Sequence, residues 1–230
     1  MEDAYHLDMD FAHRGWVYGG VYDGHGGDGA ARYAAVVLHG TFLGAYLSGL
    51  APADAFASAY EQVDRELAHQ DSGTTATDFF IRESDLFVAN AGDSRAVIVG
   101  KRGITQLTTD HRLSDDNERK RVLQTGGGIR LPYVTRGAQG IMTTRSLGDP
   151  YFRPAGVIAA PFTAHHALSS QDMFLISASD GLWDVITSEQ IFAVASKSTD
   201  PAELLSALKN EVLNKRQGTD NLTVIAISLR

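Results

Sequence analysis

Apolar residues recur along this chain in two rhythms, one helical and one alternating or continuous. Between Pro52 and Gln70, Phe56, Tyr60, Val63 and Leu67 return about once per helical turn, with proline near the start, and predict a helix. Ala30–Leu47 carries Tyr33, Val36, Val37, Phe42 and Leu43 in a looser helical pattern. Thr187–Ser198 and Asp200–Arg216 predict two further consecutive helices, the second with Leu204, Leu208 and Val212 on one face. Ser114–Thr125 reads as a short charged helix with Ser114 as N-cap, stopped at Gly126-Gly127-Gly128.

Strand patterns lie between these helices. Trp16–Asp23 is aromatic and β-branched and ends on a carboxylate. Thr74–Arg82, Asp85–Ala91, Ala96–Val99 and Ile104–Thr108 are short runs divided by turn residues and suggest an antiparallel meander. Asp172–Ser179 reads as a buried strand that again runs into a carboxylate, Asp180, and Leu222–Leu229 as a last strand. Arg130–Phe152 has an irregular, glycine-containing pattern. Helices and strands are grouped rather than strictly alternating, so the fold class is α+β, with two sheets facing each other between helices. Asp78 breaks an apolar strand and is expected at a solvent-facing edge. His165-His166 reads as a surface loop and Trp183 as a core residue.

Composition narrows the function. At 230 residues the chain can carry a core without staples. Lys+Arg 20 against Asp+Glu 28 leaves a net charge of −8, which disfavours nucleic-acid partners. With no cysteine, thiolate metal sites and cysteine nucleophiles are excluded. No apolar run reaches the roughly 18–20 residues of a membrane span, and Met1–Phe11 has no signal-peptide pattern. The expectation is a cytoplasmic monomer with no membrane partner.

The candidate chemistry lies in short acidic segments. Asp23-Gly24-His25-Gly26-Gly27, Ser179-Asp180-Gly181 and Asp220-Asn221 each border an apolar run, and Glu2-Asp3 opens the chain. Each segment alone is an ordinary turn or a charged terminus. Brought to one sheet edge, the acids would repel one another unless hard cations such as Mg²⁺ or Mn²⁺ neutralised them. Gly24 lets the backbone approach an ion, and His25 is placed to transfer a proton.

These segments belong to a longer ordered series: M-E-D at Met1–Asp3, V-Y-D-G-H-G-G at Val21–Gly27, S-G-T-T-A at Ser72–Ala76, N-A-G-D-S-R-A-V at Asn90–Val97, Asp110-His111, E-R-K-R-V at Glu118–Val122, T-R-S-L-G-D at Thr144–Asp149, S-D-G-L-W-D at Ser179–Asp184 and D-N-L-T at Asp220–Thr223. In this series the chain resembles the metal-dependent protein serine/threonine phosphatases of the type 2C family. The resemblance implies a central β-sandwich with helix pairs on both outer faces. It implies two Mg²⁺ or Mn²⁺ ions bridged by Asp23, one of them bound by the Gly24 carbonyl and the other completed by Asp180 and Asp220. Glu2 and Asp3 would act mostly through water, and His25 would be the general acid. Asp93 and Asp184, with Asp180, match positions that hold a weaker third ion in some members.

The resemblance also implies phosphoprotein substrates, a single catalytic domain over residues 1–230 that lacks its first strand segment, and direct attack by water. Members usually carry a phosphate-binding arginine shortly before M-E-D. Here Arg145 and Arg14 are the candidates to replace it, with a structural salt bridge favoured for Arg145 and plain exposure for Arg14. Weak substrate affinity is expected if neither does. A pseudophosphatase and another two-metal hydrolase remain the alternatives at this point. Gly126–Arg153 is expected to form a flap beside the site.

Overall fold

A computed structural model describes residues 1–215 and 220–229. Strands β1 (Ala4–Phe11) and β2 (Trp16–Tyr22) form an antiparallel hairpin. The two-residue strand β3 (Gly24–His25) leads into helix α1 (Gly29–Leu47), against which α2 (Pro52–Glu66) packs. The meander follows: β4 (Gly73–Thr74), β5 (Ala76–Arg82), β6 (Asp85–Ala91), β7 (Arg95–Gly100) and β8 (Gly103–Gln106). Next come α3 (Asp116–Gln124), β9 (Gly128–Arg130), β10 (Tyr133–Arg136), β11 (Gln139–Ile141) and β12 (Leu147–Gly148). After β13 (Phe162–Ala167) and β14 (Asp172–Ala178) come α4 (Asp180–Trp183), α5 (Ser188–Ala195), α6 (Pro201–Lys215) and β15 (Val224–Ser228). The predicted last residue of α6, Arg216, lies outside the described residues.

The strands make a five-stranded sheet in the order β1-β2-β5-β6-β13 and a four-stranded sheet in the order β15-β14-β7-β8. Val21, Phe79 and Val88 of the first pack against Ile98, Leu175 and Ile225 of the second, so the two sheets form a sandwich. The next residues along the same strands point outward. Tyr18, Tyr22 and Phe80 meet Leu38, Phe42 and Phe56 of α1 and α2. Phe174 and Ile176 meet Ile191, Leu204 and Leu208 of α5 and α6. This period-two alternation in strands buried on both faces produces the α-β-β-α layering.

Several expectations change. Asp78 is fully buried, not at a solvent edge. It belongs to β5, an inner strand, and points to the helix side, where the hydroxyls of Tyr18, Tyr22 and Tyr60 donate to its carboxylate at 2.8, 2.6 and 2.7 Å. Gly20, paired with Asp78, makes the room: a Cβ there would lie 2.3 Å from both Asp78 Oδ1 and the Tyr22 hydroxyl. His165 and His166 lie in edge strand β13 rather than a loop, and their rings contact Asp85 and Asp172. The N-cap of α3 is Asp115, not Ser114, because Asp115 Oδ1 accepts from the backbone of Asn117 and Glu118. The irregular stretch after α3 forms the separate small sheet β11-β10-β9. Trp183 is buried as expected, and its indole nitrogen donates to the Ala178 carbonyl.

Candidate metal centre

Strand register brings the acidic segments together. Ala4 at the start of β1 pairs with Tyr22 at the end of β2, and Ala76 at the start of β5 pairs with Ala91 at the end of β6. In the second sheet, Ala178 at the end of β14 pairs with both Arg95, the first residue of β7, and Val224, the first of β15. Antiparallel pairing therefore puts Asp3, Asp23, Asp93, Asp180 and Asp220 at one end of the sandwich, although the chain separates them widely.

Short-range contacts fix that end. Asp3 Oδ2 accepts from the Ser179 hydroxyl at 3.0 Å, tying the start of the chain to the end of β14. Glu2 Oε1 accepts from the Gly27 backbone at 2.8 Å, and the Glu2 amide donates to Asn221. The Thr75 hydroxyl accepts from the Asp23 amide and bonds Ser94 at 2.8 Å, linking the ends of β2 and β7. Gly24 is required because a Cβ there would lie 2.4 Å from the Glu2 carbonyl oxygen.

The electrostatics record the crowding. Burial, and then the charges of Asp3, Asp180, Asp93 and Asp220, push the Asp23 carboxyl far above the carboxylate range. Burial raises Asp180 as well, with Asp93, Asp184 and Asp220 adding to it and Arg112 partly offsetting. Asp3 Oδ1 is buried with no hydrogen-bond partner. Among the described residues no three His, Asp or Glu side chains are drawn together closely enough to hold a metal ion as they stand, so binding one would need these carboxylates to move inward. The all-oxygen donor set, the orphaned Asp3 oxygen and the repulsion focused on Asp23 fit a hard divalent cation.

Next to the acids stands His25. Its Nε2 lies 2.8 Å from Asp149 Oδ2, which also accepts from the Ser146 hydroxyl at 2.6 Å. Asp149 is buried and holds a left-handed backbone at φ 56°, uncommon for a residue with a side chain. Burial alone would lower the His25 pKa. The hydrogen bond and charge of Asp149, with Asp93 and Glu2, outweigh it and hold the imidazole above its ordinary value. A cavity of about 680 Å³ opens over these groups, and Tyr133, Ile141 and Met142 of the small sheet and its exit form its apolar wall. A cleft of about 690 Å³ between β1 and β15 has mainly apolar walls, including Tyr5, Leu7, Leu222 and Ile225, and only Asp3 of these acids.

The structure thus brings together Glu2, Asp23, Gly24, His25, Asp93, Asp180 and Asp220 around one cavity, while Asp3 lines the neighbouring cleft and reaches the site through its charge on Asp23. Asp184 is not among the lining residues and is held by Arg112. Arg145 is engaged elsewhere, with Glu118 at 2.7 Å and the Ala160 carbonyl. Arg14 covers the Trp16 ring at the β1–β2 turn. Two residues of this site were given no role from sequence. Asp149 closes the T-R-S-L-G-D segment, where the order is Gly-Asp-Pro rather than the strand-Asp-Gly order that marks Asp23. Arg112 follows Asp110-His111, and nothing local marks it.

The profile of the family described as Protein phosphatase 2C matches residues 1–221. A Saccharomyces cerevisiae protein, "Protein phosphatase 2C homolog 1", is 33% identical over 254 residues, covering 100% of this chain and 88% of that protein. The rice "Protein kinase and PP2C-like domain-containing protein" is 35% identical across 92% of this chain, which spans 34% of its length. The Arabidopsis thaliana "Probable protein phosphatase 2C 71" is 34% identical across 90% of this chain, which spans 47% of its length. Among solved structures, serine-threonine phosphatase 2C from Toxoplasma gondii superposes with a TM-score of 0.85 at 19% identity, covering 98% of this chain and 89% of that one.

Proposed function

The chain belongs to the protein phosphatase 2C family, and from that premise we propose that it hydrolyses phosphoserine and phosphothreonine in proteins with two Mg²⁺ or Mn²⁺ ions. The observation that carries this reading is the convergence of Asp3, Asp93, Asp180 and Asp220 on buried Asp23, beside the His25–Asp149 pair. Asp23, the Gly24 carbonyl, Asp180 and Asp220 would hold the ions, with Glu2 and Asp3 acting mostly through water. When bound, such a pair supplies a Lewis-acid clamp for phosphoryl oxygens and activates water near neutral pH.

The chain's own groups do the rest. Asp149 accepts from His25 Nε2, which leaves Nδ1 to deliver a proton to the departing seryl or threonyl oxygen. General acid help of this kind is worth about 10²–10⁴-fold. The raised His25 pKa suits the role, because an acid must hold its proton at working pH. Tyr133, Ile141 and Met142 shield the cavity from one side and accept the residues that flank the phosphoamino acid. Among the described residues neither Arg145 nor Arg14 nor any other arginine lines the cavity, so low affinity for small phosphate esters is the expected outcome.

Phosphate release from a phosphothreonine peptide tests the reading. Release requires Mn²⁺ or Mg²⁺, stops with EDTA, and is lost in Asp23→Ala and Asp180→Ala. Metal-dependent release absent from the wild type defeats the activity, and release that survives both substitutions defeats the site.

A further inference from the structure

Asp93, Asp180 and Asp184 form an acidic corner beside the core site, and one side chain fills it. Arg112 Nε donates to Asp93 Oδ2 at 2.7 Å. Its two terminal nitrogens grip Asp184 end-on, Nη1 to Oδ1 and Nη2 to Oδ2, each at 3.0 Å. Nη2 also donates to Asp180 Oδ2 at 3.0 Å. Four donor contacts from one planar fork to three carboxylates match the bidentate geometry that distinguishes arginine from a point charge.

The stem is anchored as firmly as the head. Arg112 bridges Thr143 in backbone pairing, and its carbonyl accepts from Asp115 at 3.0 Å. The preceding residue, His111, donates its amide to the Gly92 carbonyl at 2.9 Å, next to Asp93. An arginine stays charged at every working pH. Its side chain is 24% exposed, and water screens its contacts with Asp93 and Asp180 weakly but reaches Asp184, which is 51% exposed.

A guanidinium and a metal ion cannot share this corner. The ion would need carboxylate oxygens at about 2.0–2.2 Å, the same oxygens that Arg112 holds, and the two cations would repel. We infer that Arg112 is the resident cation of this corner, neutralising Asp93 and Asp184, steadying Asp180 toward the core site and limiting the chain to two metal ions. The inference rests on the two-ion reading of the core site. It makes Arg112 a positioning residue that acts through Asp180.

Counting bound Mn²⁺ by equilibrium dialysis with elemental analysis tests this without an activity readout. Over a Mn²⁺ titration the wild type reaches a plateau of two ions per chain. Arg112→Met keeps an apolar stem, removes the charge and reaches three. Adding Asp184→Asn to it returns the count to two, while Asp184→Asn alone leaves the wild-type count unchanged. A wild-type plateau of three that falls to two in Asp184→Asn overturns the inference, and does so even if Arg112→Met does not fold. An unchanged plateau in folded Arg112→Met overturns it as well. A wild-type plateau below two defeats the two-ion reading and this inference together.

Discussion

Replacing Asp78 separates the cost of its charge from the value of its hydrogen bonds. The carboxylate is fully buried between α2 and the five-stranded sheet and accepts from three tyrosine hydroxyls. Burial outweighs those bonds and raises its pKa from 3.8 to about 6. The folded protein therefore holds this proton more tightly than the unfolded chain does. The resulting stabilisation is complete below pH 3.8 and is lost as pH climbs through about 6. At about 1.4 kcal/mol per pKa unit, the loss is on the order of 3 kcal/mol.

Asp78→Asn keeps the shape and cannot ionise. Its amide carries two N–H donors: the Tyr60 hydroxyl can accept one by turning its own proton to the Ala76 or Ala89 carbonyl, each 3.2 Å away, and the second is left without a partner. Against the wild type this variant should start about 1–3 kcal/mol lower near pH 4, for the unpaired N–H, and gain roughly 3 kcal/mol between there and pH 8. Asp78→Ala instead strands the Tyr18 and Tyr22 hydroxyls, at about 1–3 kcal/mol each, and should be destabilised at every pH. Urea unfolding in EDTA across this range reads all three proteins, and titrations elsewhere cancel in the differences. If Asp78→Asn is as unstable as Asp78→Ala and its difference from the wild type does not change with pH, burial does not control this carboxyl and the reasoning fails.

Asp149→Asn should lower kcat by about ten- to a hundredfold, part of the general-acid contribution, with KM little changed. Because Asp149 raises the His25 pKa, its loss should move the alkaline fall of kcat to lower pH; an unmoved profile separates Asp149 from the acid. Glu118 is buried and accepts from Arg121, Arg145 and Thr144, which hold its carboxyl well below the usual range. Glu118→Gln should cost on the order of 3 kcal/mol, seen as a Tm lower by roughly 6–12 °C. Because that pKa is depressed, the wild-type advantage should be full above the ordinary glutamate value, shrink as pH falls below it, and vanish only when pH reaches the depressed value of the folded state. Gly19→Ala puts a Cβ 2.3 Å from the Phe79 ring inside the sandwich and should cost about 1–3 kcal/mol in urea unfolding.

Sequence alone carried the elements and most of the site. The helical return of Phe56, Tyr60 and Val63 gave α2, and the buried run before Asp180 gave β14, because periodicity reports which face is buried. Asp23 and Asp180 could be read as site residues because each is a carboxylate at the end of an apolar strand, a local pattern. What failed locally was decided by contact. Asp78 looks like a solvent-edge residue until β2 and α2 bring three tyrosines onto it. Strand β13 is unremarkable in sequence because it is an edge strand whose support comes from β6.

Antiparallel register decided what the acids amount to together. It places chain segments far apart in sequence at one end of the sandwich, where burial, and then their mutual repulsion, raises the Asp23 pKa. Tertiary structure alone gave Asp149 and Arg112 their roles. Asp149 is paired with a histidine from the other side of the meander, and Arg112 with acids from the β6–β7 turn and the end of β14. The sequence determined which charged groups this protein owns and which strand ends carry them. Folding decided which of those charges face one another, because Coulomb energy depends on distance in space and not along the chain.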